Sequence, residues 1–371
     1  MPHTRAEAAF LHGRAAEESC ASSERERLRL KNFSIQVHIR QILLFVLLLA
    51  FVVLLVTSYT GLTQLIAVFS SADWEWVLIA ILTHAVYFVV YALMYHLTFI
   101  VVGVESPVSR LLPIFFASLF VNTVAPLGGL GGAALFVDDA ARHGQSGVRA
   151  AMGTLLVLII DLATAVPFVL AAIPYLVEAQ EIQAYLVIGS LMFLAYVLLL
   201  IAIMVISYER VDLSQRALGA IGRLVNVVGS WFHHPQVMTE KWAEQSALEF
   251  VQASRAATKA PGSMFVLLAL GVALHAINAA GLYTLFLAYH EPPVLGLVNA
   301  AFAMNIVFYV ISAIQGVGIV EAVVTLMLVA AGMPVAQAFA LAVSYRGLNF
   351  WMPLLLGLFF LRSVKTFDPE G

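Results

Sequence analysis

Three ionisable side chains, Asp161, Glu321 and Arg346, fall inside stretches that are otherwise uncharged over the length of a membrane span. An ionised group at the centre of a bilayer costs at least about 2.5–3.5 kcal/mol on insertion scales, so each needs a partner, a wet cavity or a task. Glu321 and Arg346 can pair with each other as a structural pin. In the functional alternative Arg346 binds a phosphate while Glu321 takes a cationic headgroup or exchanges a proton. Asp161 is either a proton acceptor facing the same cavity or a bridge to a neighbouring helix. Near these charges stand two clusters of helix breakers, Pro126-Leu-Gly-Gly-Leu-Gly-Gly132 and Gln315-Gly-Val-Gly318. A helix that restarts after Gly128, Gly129, Gly131 and Gly132, or after Gln315, Gly316 and Gly318, begins with amides that have no helical partner and with the positive end of its dipole. Such an end suits a phosphate, and glycine lets a headgroup approach the backbone. Glycines that merely ease helix packing are the alternative.

The remaining polar residues are less pointed. Asn122, Asn278, Asn305, Gln315 and Asn349 can bridge helices or touch a headgroup, and bridging is the commoner use. His84, His96 and His275 sit on separate spans without a metal-ligand pattern and are expected to pack or hydrogen-bond. Tyr87, Tyr91 and Tyr95 recur every four residues, a stripe that either packs, faces lipid or guides acyl chains. Asp138 and Arg142 are four apart on a helix and form a favourable pair. The chain shows no paired nucleophile and base, zinc motif or nucleotide loop, and Asp138-Asp139 is a poor metal cage. Neither a cofactor nor a nucleic-acid partner is called for.

The elements that hold these residues must be helices in a membrane. Of 371 residues 62% are hydrophobic and 11% charged, the mean hydropathy is +0.95, and several uncharged runs exceed the roughly 20 residues that a span needs. A lone Cys20 excludes an internal disulfide framework. Residues 1–34 are polar and basic and are expected to be a disordered tail; the apolar run that follows is span-length and starts too late for a secretory signal. Seven of the 19 Lys and Arg precede the first span and six lie between Tyr208 and Gly262, which puts both regions, and the C-terminus, on the cytoplasmic side.

One arrangement satisfies every segment: span, span, re-entrant hairpin, span, then the same order upside down. The first half runs over 35–207 and the second over 263–362, with an amphipathic cytoplasmic connector at 208–262 and a short tail at 363–371. The expected pieces are spans at Trp74–Ile100, Val148–Tyr175, Ala184–Ser207, Ser263–Tyr289 and Pro334–Leu361 after the first, with hairpins at Val108–Arg142 and Val294–Ala331. Gly128, Gly144 and Ala150 find Gly316, Gly332 and Ala338 at a constant offset of 188. The fold class is thus all-α, polytopic, with two inverted repeats, about six full spans and two re-entrant hairpins. Trp74, Trp76 and Trp351 fit interfacial anchors.

Glu321 within Gly316-Val-Gly318-Ile-Val-Glu321, then Gly332, Tyr345-Arg346, Phe350-Trp351-Met-Pro353 and Gly357 closely resemble the C-terminal signature of the lysylphosphatidylglycerol synthase transmembrane-region family, also called flippase-like. Asn122, Pro126, Gly128, Gly129, Gly144 and Asp161 are similar to its first-half signature, and the likeness covers roughly Ile42 to Leu361. The chain departs from the pattern at Ile314-Gln315, where the family usually has Pro-Gly, and at Ala133-Ala134, where an acidic residue often follows the first glycines. The resemblance implies passage of an anionic, aminoacylated or glycosylated lipid between leaflets; taken with the reading of the breaks and charges above, the expected substrate-binding set is Asn122, the glycines of both breaks, Asp161, Gln315, Glu321, Arg346 and Trp351. Some members carry a soluble aminoacyl-transfer domain. This chain, which ends at Gly371, is expected to lack it and not to be an enzyme. Two other functions fit the same residues: a scaffold for an envelope glycosyltransferase, self-associating or not, and an intramembrane lipid-modifying enzyme using Asp161 or Glu321 as base.

Overall fold

The computed structural model describes residues 67–124, 130–178, 184–209 and 261–361. The expected first span, the basic tail, the connector, the C-terminal tail and Gly128 and Gly129 lie outside them. The described residues from Val68 onward belong to one compact unit, built of ten α-helices. They are α1 (Trp74–Val101), α2 (Val108–Val124), α3 (Leu130–Arg142), α4 (Gly147–Glu178), α5 (Ala184–Glu209), α6 (Pro261–Ala288), α7 (Leu295–Ile311), α8 (Ile319–Ala330), α9 (Val335–Arg346) and α10 (Met352–Leu361). A 3₁₀ turn, Ala313–Gly316, precedes α8, and a π-turn, Gly347–Trp351, joins α9 to α10 without a break.

The chain is a multi-pass membrane protein. Four helices, α1, α4, α5 and α6, are long and apolar enough to cross a bilayer. The expected last span is present as α9, the π-turn and α10 in series. Its outer faces are apolar: Leu78 and Leu82 on α1, Ile188 and Leu191 on α5, and Leu355 and Phe359 on α10 are exposed, while His84, His275, Asn278, Asn305, Glu321 and Arg346 are buried. That inversion of the soluble pattern is what a hydrocarbon solvent imposes.

Helix ends follow from a few backbone positions. Gly103, Gly144 and Gly332 take left-handed φ values of 78°, 72° and 92° just past α1, α3 and α8. In each case the two amides beyond the helix fold back onto its last carbonyls: Val104 to Phe99 and Gly103 to Ile100, Gln145 to Ala140 and Gly144 to Ala141, Met333 to Leu328 and Gly332 to Val329. This doubly bonded stop satisfies carbonyls that would otherwise be orphaned. α6 ends the same way on His290, at φ 57°, with Glu291 returning to Phe286 and His290 to Leu287. The four stops fall on corresponding helices of the two halves, α1 with α6 and α3 with α8.

The packing repeats as well. α1 lies along α6; α2 packs on α10 as α7 packs on α4; α2 pairs with α3 as α7 pairs with α8; and α3 meets α4 as α8 meets α9. Two copies of one unit, the first short helix of each lying on the other's last helix while the second stays on its own, account for every one of these neighbours. The α2–α10 contact is close because Gly357 has no side chain: a Cβ there would stand 2.2 Å from the Phe116 carbonyl oxygen. Gly357→Ala is therefore expected to lower stability by about 1–3 kcal/mol, the range for overpacking. Gly262→Ala, where a Cβ meets nothing within 4 Å, should leave the melting temperature in detergent unchanged. Equal melting temperatures for the two variants would contradict the packing.

Candidate functional site

A cavity of ≈ 220 Å³ lies between α1, α2, α4, α6, α7 and α9. α1 contributes Tyr87, Tyr91 and Tyr95, whose four-residue spacing puts all three on the inner face. The aromatic stripe is a cavity wall. Asp161 enters from α4, His275 and Asn278 from α6, Asn305 and Tyr309 from α7, and Ser118 and Asn122 from α2. Gln315, Arg346 and Asn349 close the ring. Asp161 and His275 sit roughly midway along their helices, so the chamber lies deep within the apolar layer.

The second glycine break is held by a knot of charge. Gln315, Gly316 and Gly318 have φ values of 54°, 72° and 79°, so the chain reverses sharply before α8. The freed amide of Gly318 donates to Glu321 Oε2 at 2.9 Å, an acidic residue at the third helical position reaching back to its own cap. Arg346 Nε donates to Glu321 Oε1 at 3.2 Å, and its Nη2 donates to the Gln315 carbonyl at 3.2 Å. The guanidinium also stacks over Phe350, 4.2 Å from the ring centre. Arg346 is only 1% exposed. The pair thus pins α8 and its turn to the last span, and it cancels its own charge.

The first break is closed more gently. Asn122 on α2 accepts from the Gly132 amide at 2.7 Å, so a side-chain oxygen again covers an open amide in the first turn of the returning helix. Gly132 leaves no room there: a Cβ would meet Asn122 Nδ2 at 2.5 Å and the Ser118 carbonyl at 2.7 Å. Between the pairs, the Thr123 hydroxyl donates to Gln315 Oε1. The two breaks are therefore joined directly, side chain to side chain.

Of the amides at the two breaks, those of Gly132 and Gly318 are taken by Asn122 and Glu321, and Glu321 brings its own negative charge to the helix end. Asp161, Asn122, Gln315 and Arg346 do line the cavity, whereas Gly131, Gly132, Gly316, Gly318 and Glu321 shape it from behind. Trp351 stands apart, 41% exposed on the outer surface against Phe350. Asp138 and Arg142 form their expected exposed pair at 2.8 Å. Asn278 bridges as expected, accepting from the Tyr345 hydroxyl at 2.8 Å.

Sequence reasoning missed three features. His275, expected to pack or hydrogen-bond, does bond to the Asp161 carbonyl, but its place on the cavity wall was not foreseen. Tyr309, which carried no signal, lines it from α7. The π-turn, Gly347–Trp351, sets Asn349 on the cavity wall; one extra residue per turn has no sequence signature, although such bulges gather at functional sites. Gln315, a non-glycine residue, sits in the left-handed region at φ 54°, at a strain of about 1–3 kcal/mol, and its side-chain amide reaches Thr123.

Residues 41–357 match the family described as lysylphosphatidylglycerol synthase TM region. The chain belongs to this family. Its membership makes it a lipid-related membrane protein, in keeping with polar groups gathered inside an apolar bundle. A comparison with curated proteins gives no match.

Removing one partner of a buried pair strands the other. Arg346→Ala is expected to destabilise by about 3–5 kcal/mol, leaving Glu321 uncompensated. The double variant Arg346→Met, Glu321→Gln should recover part of that loss, because the neutral amide that replaces the carboxylate still accepts from Gly318. Thermal unfolding in detergent checks both, and a single variant no less stable than the wild type would contradict the pin.

Proposed function

We propose that the protein moves a lipid between leaflets by passing its headgroup through the cavity while the acyl chains stay in the bilayer. The observation that carries this reading is a polar chamber at the meeting point of two broken helix pairs, inside helices whose outer faces are apolar. Helices interrupted at matching places in two halves are a recurring construction around a midplane substrate site. On this reading the pairs α2–α3 and α7–α8 are re-entrant hairpins opening to opposite sides, the two halves are inverted repeats, and both termini are cytoplasmic in the cell membrane. The protein then acts as a transporter and not as an enzyme.

Charge narrows the cargo. Arg346 is neutralised by Glu321, while Asp161 Oδ1, Asn305 Oδ1 and Asn349 Oδ1 are buried acceptors without partners. A chamber of acceptors suits a headgroup that donates hydrogen bonds, hydroxyl-rich or ammonium-bearing, such as a glycosylated or aminoacylated lipid. The volume is below the roughly 300–1,000 Å³ of ordinary ligand pockets, which fits a headgroup that enters without its tails.

The test is equilibration of labelled lipids in proteoliposomes, over a panel of amino, glycosyl and anionic headgroups. Asn305→Leu removes an unsatisfied acceptor without opening a cavity, so it is expected to leave the melting temperature in place. It should slow passage about two- to tenfold, the range set by one lost hydrogen bond. Identical rates in protein-bearing and empty vesicles across the panel would overturn the reading and favour a scaffold for a glycosyltransferase.

A further inference from the structure

Asp161 and His275 meet on the cavity wall in an arrangement that the headgroup reading does not use. His275 Nε2 lies 2.8 Å from the Asp161 backbone carbonyl and 3.5 Å from its Oδ1. A carbonyl only accepts, so Nε2 carries the hydrogen and Nδ1 of the neutral ring is a bare acceptor. That Nδ1 is buried without a hydrogen-bond partner, while Asp161 keeps Oδ1 beside Nε2 with no strict hydrogen bond and takes a hydrogen bond from Tyr91 at its carboxyl group. Glu321 differs, with one oxygen held by Gly318 and the other by Arg346. Buried polar atoms left unpaired in a native fold call for an explanation. Here two proton acceptors stand side by side in one polar chamber.

The surroundings leave the pair without another uncompensated charge beside it. From α1 it is faced by the phenols of Tyr87, Tyr91 and Tyr95, and from α7 by Tyr309, all near enough to interact with the Asp161 charge. α9 brings Tyr345 and Arg346, the latter paired with Glu321 of α8, and α2 brings only the neutral Ser118 and Asn122. Among the described residues no second carboxylate and no uncompensated cation lines the cavity. The rings of Phe168 and Phe302 flank the imidazole at 5.7 Å and 6.0 Å.

We propose that Asp161 and His275 form a single proton-binding site in the cavity wall. One proton, delivered by water, adds to Nδ1 of His275; the ring becomes an imidazolium, and its Nε2–H lies against the Asp161 carboxylate. A hydrogen-bond-donating headgroup and the imidazolium then compete for the same carboxylate oxygen, so proton and cargo exclude each other. The competition rests on the translocation reading above; the proton site does not.

The site is tested by nitrogen NMR of protein labelled with ¹⁵N-histidine in lipid nanodiscs, with His275→Gln used to assign the resonance. The wild type is expected to show the His275 ring taking up a proton at Nδ1 as the pH is lowered. In Asp161→Asn that transition should be displaced by about one pH unit or more. A ring that never titrates, or that titrates at the same pH in both proteins, overturns the proposal. If His275→Gln does not fold, the comparison of wild type with Asp161→Asn still decides it. Lipid passage measured in parallel separates the two readings: a displaced transition in vesicles that move no lipid supports the proton site and overturns the competition, while passage with no titrating ring overturns the site alone.

Discussion

An amide opened inside hydrocarbon has no water to turn to, and this requirement organises the protein. The break before α8 exposes the Gly318 amide and the Gln315 carbonyl, and the fold answers with one carboxylate and one guanidinium, Glu321 and Arg346. Each needs the other, because either alone would be a buried charge. The pair therefore does three things together. It satisfies the turn, ties that turn to the last span, and leaves the adjoining cavity without a net positive charge. The first break meets the same requirement with the neutral Asn122, and Thr123 and Gln315 join the two solutions. Around this junction the walls of the chamber can stay polar, since the backbone that frames it is already satisfied by its own side chains.

Repetition explains how such a junction is built from one plan. The stops after α1 and α6, and after α3 and α8, use the same doubly bonded reversal, with His290 standing where Gly103 stands in the other half. The first helix of each short pair crosses over, α2 lying on α10 and α7 on α4, while α3 and α8 stay on the last helix of their own half. A chamber lined from both halves follows from that geometry.

Much of this was legible in the sequence because hydrocarbon makes few demands and makes them strictly. Uncharged runs set the helices: α1, expected at Trp74–Ile100, is Trp74–Val101, and α6, expected at Ser263–Tyr289, is Pro261–Ala288. The offset linking Gly144 to Gly332 was visible, and its cause is a shared left-handed helix stop. Asp161 and Arg346 were found at the cavity because a charge in a span must be explained. What composition could not supply was direction. Tyr87, Tyr91 and Tyr95 make a stripe that lipid or protein would accept equally, and only the packing of α1 turns it inward. His275 was indistinguishable from a packing histidine until Asp161 appeared beside it, and the π-turn that presents Asn349 follows from local hydrogen bonding that no periodicity records. Trp351, expected in the substrate-binding set, lies on the outer surface.

The central claim is that a polar chamber lies deep in the bundle and can be reached from water. A single cysteine at Asn305, in a Cys20→Ser background, probes it directly with a membrane-impermeant thiol reagent added to either face of sealed vesicles. The account predicts that the cysteine at 305 reacts from the aqueous phase, while one at Leu191, exposed on the apolar face of α5, does not. A cysteine at 305 as inert as one at 191, from both sides, would contradict it.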